Sequence, residues 1–260
     1  MKGLIEFAGN LYEIDWSQPI SIAIPLQNTD KQVNCFSAPP LQFQPVTEGD
    51  FIGSTNAGSP VNFFNILLNP HGNGTHTECV GHISKEPYFI KDALQCFHFV
   101  SCLITVQPVK TASGDEQITQ SSLEYALQFT PILPSALIVR TSPNAQDKCT
   151  RDYNGRNPAY FTPEAIQWLK DQDIHHLLVD VPSVDKEEDG GLLEAHKAFW
   201  NYPSNPRTKD TITELIFVPD EIEDGLYLLN LQILKITLDV SPSQPVLYTL
   251  NKSTKNLDIL

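Results

Sequence analysis

Between positions 71 and 82 the chain reads His-Gly-Asn-Gly-Thr-His-Thr-Glu-Cys-Val-Gly-His. Seven histidines in 260 residues average about a third of a histidine per twelve-residue window, yet this window holds three, with a carboxylate and three glycines. Imidazole and carboxylate together suit a borderline divalent cation such as Zn²⁺ or Mn²⁺. The glycines let the backbone turn tightly enough to gather ligands from one segment. In an extended chain residues of equal parity share a face, which groups His76, Glu78 and His82 and leaves His71 on the other side. Composition alone leaves open a solvated polar loop whose histidines bind nothing.

Other reactive side chains carry weaker patterns. Cys79 adjoins Glu78 and could act as a nucleophile, but its parity opposes the ligand face, so it reads as a small buried residue. His98 lies between Phe97 and Phe99 as a hydrogen-bonded core or sheet histidine, and His175-His176 opens a strand at the surface. Asp180 and Asp185 end a buried strand, where loops carry function, although Ser183 and Asp185 also suit a turn cap. Trp16, Phe63, Phe64 and Trp200 read as core, with a pocket for an aromatic substrate as the alternative.

The elements that must position the His-rich segment read as follows. Val61 to Leu68 is a candidate buried strand running straight into it, and Phe97 to Val106 is another β-type run. Thr119 to Phe129 has helical spacing; after the Pro131/Pro134 break, Ala136 to Thr141 reads as a fully buried strand. Thr162-Pro163-Glu164 supplies a helix N-cap, a proline at the first helical position and an acid in the first turn. Ile174 to Val179, a helix over Gly191 to Trp200, and strands at Thr211 to Val218 and Leu226 to Val240 follow. Shorter strands are expected at Leu11 to Trp16 and Ile20 to Ile24. This order predicts a mixed α/β fold with a sheet core, undivided over 1–260.

The segment resembles the metal-binding motif H-x-G-T-H-x-D-x-P-x-H of the cyclase-like hydrolases, the family of bacterial kynurenine formamidase and isatin hydrolase. Gly74-Thr75-His76, Glu78 in the aspartate position and His82 match in spacing. Ala136 to Thr141, Phe161 to Leu169 and Leu178 to Asp185 are similar to further segments of that family. His196 and Glu214 stand where it has a late His and Glu pair, so the likeness runs over roughly 61–235. The resemblance implies a swivelling β/β/α single-domain fold and hydrolysis of a non-peptide amide, either an N-formyl arylamine such as N-formylkynurenine in tryptophan catabolism or a cyclic amide. It implies one or two ions of Zn or Mn, the first held by His71, His76 and Glu78, the second by Glu78, His196 and Glu214, with His82 as general acid/base. Self-association of the chain is a further expectation from the family.

The departures are specific. The first histidine of the motif falls on Gly72, with His71 one residue early; Glu78 replaces aspartate; Val80 replaces proline. Either a bulge at Gly72 or Gly74 brings His71 to the metal face, or the site keeps an altered ligand set. The wider separation of His196 and Glu214 implies an inserted loop around Asn201 to Arg207. A catalytically altered small-molecule binding protein on the same scaffold is the competing reading.

Composition bounds the partners. With 41% apolar and 18% charged residues, the chain is of globular type and long enough to bury roughly three-quarters of its unfolded surface. Thirty-one acids against seventeen bases give a net charge of −14, which disfavours nucleic acid and anionic membranes. Five scattered cysteines without a CxxC pair, and an N-terminus lacking an export-type apolar stretch, predict reduced thiols in a cytoplasmic protein.

Overall fold

The run Ala136–Thr141 (ALIVRT) shows how the sheet is built. Leu137 and Val139 pack on one face of it with Leu177, Val179 and helix residues such as Ile166 and Phe199. Ala136 and Ile138 pack on the other with Leu103, Leu178, Leu229 and Leu247. A strand buried on both faces needs no polar alternation, and the sequence accordingly shows none. The computed structural model describes residues 1–130 and 132–254; Pro131, one of the prolines of the expected break, lies outside them.

Strands His98–Val106, Ala136–Thr141, His176–Val179 and Thr211–Glu214 lie side by side in parallel. Strand His76–Glu78 adds antiparallel to Thr211–Glu214. Val240–Thr249 follows it, then Gly225–Ile233, which pairs back onto His98–Val106. The sheet is thereby a closed ring of seven mixed strands, with Ile20–Ser21 added along Val240–Thr249. Closure removes the free edges and fixes the register of every member. Helices Gln120–Leu127, Pro163–Asp171 and Glu194–Trp200 cover one side. The Pro163–Asp171 helix begins as its sequence predicts, with the Thr162 hydroxyl accepting from the Ala165 amide at 3.2 Å.

Three expectations change. Val61 to Leu68 is not a buried strand. Its observed part, Phe64–Leu67, pairs among the described residues only with Gln42–Pro45 in a two-stranded ribbon, leaving Phe63, Phe64, Ile66 and Leu67 exposed. Apolar content specifies burial only where a second surface exists, and among the described residues this ribbon meets none that buries it. The 226–240 run divides into two strands joined at 234–239, because the chain must reverse to pair with itself. His176 is buried rather than at the surface, with Nδ1 2.9 Å from the Thr211 hydroxyl and its ring 4.1 Å from Phe99. No helix among the described residues is long and apolar enough to cross a membrane.

Burial, with minor help from His175 and Arg207, lowers the pKa of His176 from 6.5 to about 4. The native state therefore holds this ring neutral while the unfolded chain protonates first. Its contribution is complete above pH 6.5 and is lost as the pH falls towards 4, amounting to about 3 kcal/mol. Denaturant titrations at pH 7.5 and 4.5 should show that loss, and His176→Gln should flatten the slope.

Candidate metal centre

Each residue of the His-rich segment reaches the site by a different local device. Asn69 caps the one-turn helix Pro70–Asn73: its side chain accepts from the Gly72 amide at 3.1 Å, and its own amide donates to Asn73 Oδ1 at 2.9 Å. That turn carries His71, so neither strand parity nor a bulge decides where this ring points. Position 72 has no room for a side chain, because a Cβ there would stand 2.2 Å from Ala38 Cβ and 2.9 Å from the Cys35 carbonyl. A histidine at 72 would therefore not fit this packing, and the imidazole at this place comes from 71.

His76 and Glu78 share one face of their strand, as alternation requires. Glu214 pairs directly with His76 across the ladder and lies on the same face, as the last residue of its strand rather than in mid-strand. Their face is the helix side of the barrel, since Ile212, opposite Glu78, packs in the core shared with the helices. His82 arrives on the 3-10 turn Val80–His82, so parity with Glu78 does not apply to it. The Glu194–Trp200 helix brings His196, anchored by Asp185, whose carboxylate accepts from the amides of Ala195 at 2.7 Å and His196 at 3.2 Å. The residues between this helix and Glu214 form a loop held to it, with Trp200 Nε1 donating to the Asp210 carbonyl at 3.0 Å.

The six residues singled out in the sequence, His71, His76, Glu78, His82, His196 and Glu214, thus meet in one cluster. Glu78 is fully buried at its centre. Its Oε1 lies 3.1 Å from His196 Nε2, and its Oε2 lies 3.3 Å from His71 Nδ1 and 3.7 Å from His82 Nδ1. His76 Nε2 is 3.3 Å from Glu214 Oε2, while Glu214 Oε1 accepts from the Val184 amide at 2.9 Å. Among the described residues three sets of donor atoms each converge within 4.8 Å: His71, His76 and Glu78; Glu78, His82 and His196; and His71, His82 and Asp239.

Electrostatics favour positive charge at this point. Burial pushes the Glu78 carboxyl up, but His82, His196 and His71 outweigh it and hold the group well below its ordinary range. Burial likewise works against the His196 cation and is overcome by Asp185, Glu78 and Glu214, which raise its pKa well above 6.5. His71 is raised to about 10 against burial, by Asp239 and Glu78.

Within the cluster two buried atoms, His76 Nε2 and Glu78 Oε2, make no well-aligned hydrogen bond, and each has only an ion-pair neighbour at 3.3 Å, Glu214 Oε2 and His71 Nδ1. Leaving such groups unmatched costs roughly 1–3 kcal/mol each. One nitrogen lone pair and one carboxylate oxygen converging among imidazoles form a donor set that a divalent cation satisfies. The residues therefore fit a metal ion.

Two residues of the cluster were not singled out as site residues. Asp185, read as a turn cap, also holds His196 Nδ1 at 2.5 Å. Asp239 gives Oδ2 to His71 Nε2 at 3.2 Å and lies 3.4 Å from His82 Nδ1. Nothing in the sequence around Asp239 marks it, because its proximity comes from barrel pairing: Val240 stands opposite Glu78. Asp180 is elsewhere, bonded to Lys148 Nζ at 2.8 Å and to Thr141, beside a separate cavity of about 760 Å³. Cys79 is buried, and burial pushes its thiol up to about 12, so it is no thiolate at neutral pH. A cavity of about 300 Å³ opens onto the cluster, lined by His71, His82, His196 and Glu214 with Phe36 and Leu193.

Residues 14–186 match the profile of the family described as "Putative cyclase". The chain belongs to this cyclase family. His196, Glu214 and Asp239 lie beyond the matched span. Solved structures agree on the fold. An isatin hydrolase bound to the product analogue thioisatinate is 14% identical, with a TM-score of 0.63 over 89% of this chain and 92% of that one. Isatin hydrolase A from Ralstonia solanacearum gives 15% and 0.63 over 89% and 92%. A predicted metal-dependent hydrolase from Bacillus stearothermophilus gives 15% and 0.61 over 89% and 98%. At these identities the likeness is one of architecture, the mixed α/β fold expected for the cyclase family.

A cation that binds only the native site stabilises it by about 2.7 kcal/mol at a free concentration one hundred times its dissociation constant. With Zn²⁺ or Mn²⁺ at that excess, the melting temperature should rise by roughly 5–10 °C, and chelator should reverse the rise.

Proposed function

We propose that this chain is a metal-dependent hydrolase of a non-peptide amide, built as one domain over 1–260. The observation that carries the reading is the convergence of imidazole and carboxylate donors, with His76 Nε2 and Glu78 Oε2 buried and lacking a well-aligned hydrogen bond, beside a cavity lined by His71, His82, His196 and Glu214. One ion, zinc or manganese, would be held by His71, His76 and Glu78. A second would be held by Glu78, His196 and Glu214, with Glu78 bridging. Such an ion supplies a Lewis acid that polarises a carbonyl and lowers the pKa of water towards neutrality.

The chain's own groups account for the remaining chemistry. His82 lines the cavity with its side chain 30% exposed, the most accessible imidazole of the cluster, so it can exchange protons with a bound molecule. It takes the proton of the attacking water and returns it to the nitrogen that leaves, which an amide requires before its C–N bond breaks. Asp185 holds His196, and the Val184 amide holds Glu214, so neither must reorganise during turnover. Phe36 and Leu193 at the mouth suit an aromatic or alicyclic substrate, and the size of the cavity suits one ring system. N-formyl arylamines such as N-formylkynurenine and cyclic amides of the isatin type both answer that description, the second supported by the isatin hydrolases among the structural neighbours.

His82→Ala should retain the parent metal content while its turnover of such amides falls by about two to four orders of magnitude. Glu78→Ala should lose metal and activity together. Elemental analysis alongside rates on both amide classes decides. Retained turnover in His82→Ala defeats the acid/base assignment, and a metal-loaded parent inert on every amide leaves the binding-protein reading.

The reading extends to a second copy of the chain as partner. Phe51, Ile52, Val61, Phe63, Phe64, Ile66 and Leu67 are all exposed on the projecting ribbons around residues 42–67, which carry only Glu48 and Asp50 as charged groups. Phe64 and Ile66 lie on one face of their strand and Leu67 on the other, so a partner that wraps the ribbon covers at roughly 100 Å² each roughly 700 Å², close to the ~800 Å² per partner of a standard interface. A charge-poor patch is also where two chains of net charge −14 can meet with least repulsion. Light scattering should give a dimer for the parent and a monomer for Phe63→Ser/Ile66→Ser at the same concentration.

A further inference from the structure

Three imidazoles of the centre turn one ring nitrogen inward and give the other to an acceptor, but not in the same sense. His76 points Nε2 inward, with Nδ1 2.9 Å from the Gly74 carbonyl. His196 also points Nε2 inward, with Nδ1 on Asp185. His71 is reversed: Nδ1 faces Glu78 Oε2 at 3.3 Å and Nε2 faces Asp239 Oδ2 at 3.2 Å. His71 projects from the one-turn helix Pro70–Asn73, whereas His76 stands on a strand and His196 on the Glu194–Trp200 helix.

We propose that Asp239 is the positioning residue that makes His71 a ligand, by accepting the Nε2–H and so leaving Nδ1 bare towards the ion. The proposal rests on the reading of the cluster as a metal centre. A neutral imidazole carries its proton on either nitrogen, and only one tautomer leaves Nδ1 free to donate its lone pair. A carboxylate behind the ring selects that tautomer, fixes the ring plane and raises the basicity of the ligating atom. Asp239 is itself held, since its carbonyl accepts from the Cys79 amide at 3.0 Å, directly beside Glu78. Gly81 supports the approach: a Cβ there would lie 3.1 Å from Asp239 Cβ and 2.1 Å from the Tyr88 carbonyl.

The test is Zn²⁺ affinity measured by competition with a chromogenic chelator. The proteins are the parent, Asp239→Ala, Asp239→Asn, His71→Ala and the double variant His71→Ala/Asp239→Ala. Asp239→Ala should weaken binding about 10- to 100-fold. Asp239→Asn should recover most of that loss, because its amide oxygen accepts the same N–H; the visible spectrum of its Co²⁺ form should match the parent. On the His71→Ala background, Asp239→Ala should cost nothing further. Unchanged affinity in Asp239→Ala overturns the proposal, as does an Asn variant as weak as the Ala one. An additive loss in the double variant overturns it too, by making Asp239 a ligand in its own right. A parent that binds no Zn²⁺ defeats the metal-centre reading itself, whereas a parent that binds it with Asp239→Ala unaffected defeats only the role of Asp239.

Discussion

A single carboxylate, Glu78, sets the terms for the rest of the molecule. An ionised group with no exposure to water is tolerated only where opposite charge surrounds it, and here His71, His82 and His196 close on it from three different elements. The one-turn helix at 70–73, the 3-10 turn at 80–82 and the helix at 194–200 are each placed so that their histidines reach this point. Glutamate, where the motif that the segment resembles has aspartate, carries the carboxylate one methylene further from its strand, and its two oxygens meet different imidazoles, Oε1 that of His196 and Oε2 those of His71 and His82.

The barrel gives that carboxylate its fixed position. The three-residue strand 76–78 is bonded on both sides, to 211–214 and to 240–249, so it cannot slip. A one-residue shift would turn His76 and Glu78 to the opposite face, where Thr77 now meets Thr213. The same pairing explains why Glu214 and Asp239, remote in sequence, flank the His-rich segment.

How much of this could be read from sequence depended on whether the signal was local. The Thr162-Pro163 helix start and the two-sided apolar run at 136–141 depend on neighbours in the chain, and both appear as expected. Five histidine and glutamate positions and His71 were legible as a set through the motif and its context. The route of His71 was not, because the obstacle at position 72 comes from Ala38 and Cys35, packed there by a loop with no pattern of its own. Asp239 was invisible for the same reason, since strand pairing alone brings it near. The 61–68 run misled because its apolar side chains resemble those of a core strand, and only the tertiary structure shows that none of the described residues buries them.

Gly72 also constrains which substitutions the site accepts. Placing a histidine at that position by one substitution would drive its Cβ into Ala38 and the Cys35 carbonyl, while His71 already occupies the space beside Glu78. To admit a histidine at 72, the loop at 35–38 would have to retreat and the His71 ring to leave its place beside Glu78, so the two positions are locked to one another and exchange of the ligand between them takes coupled changes rather than one.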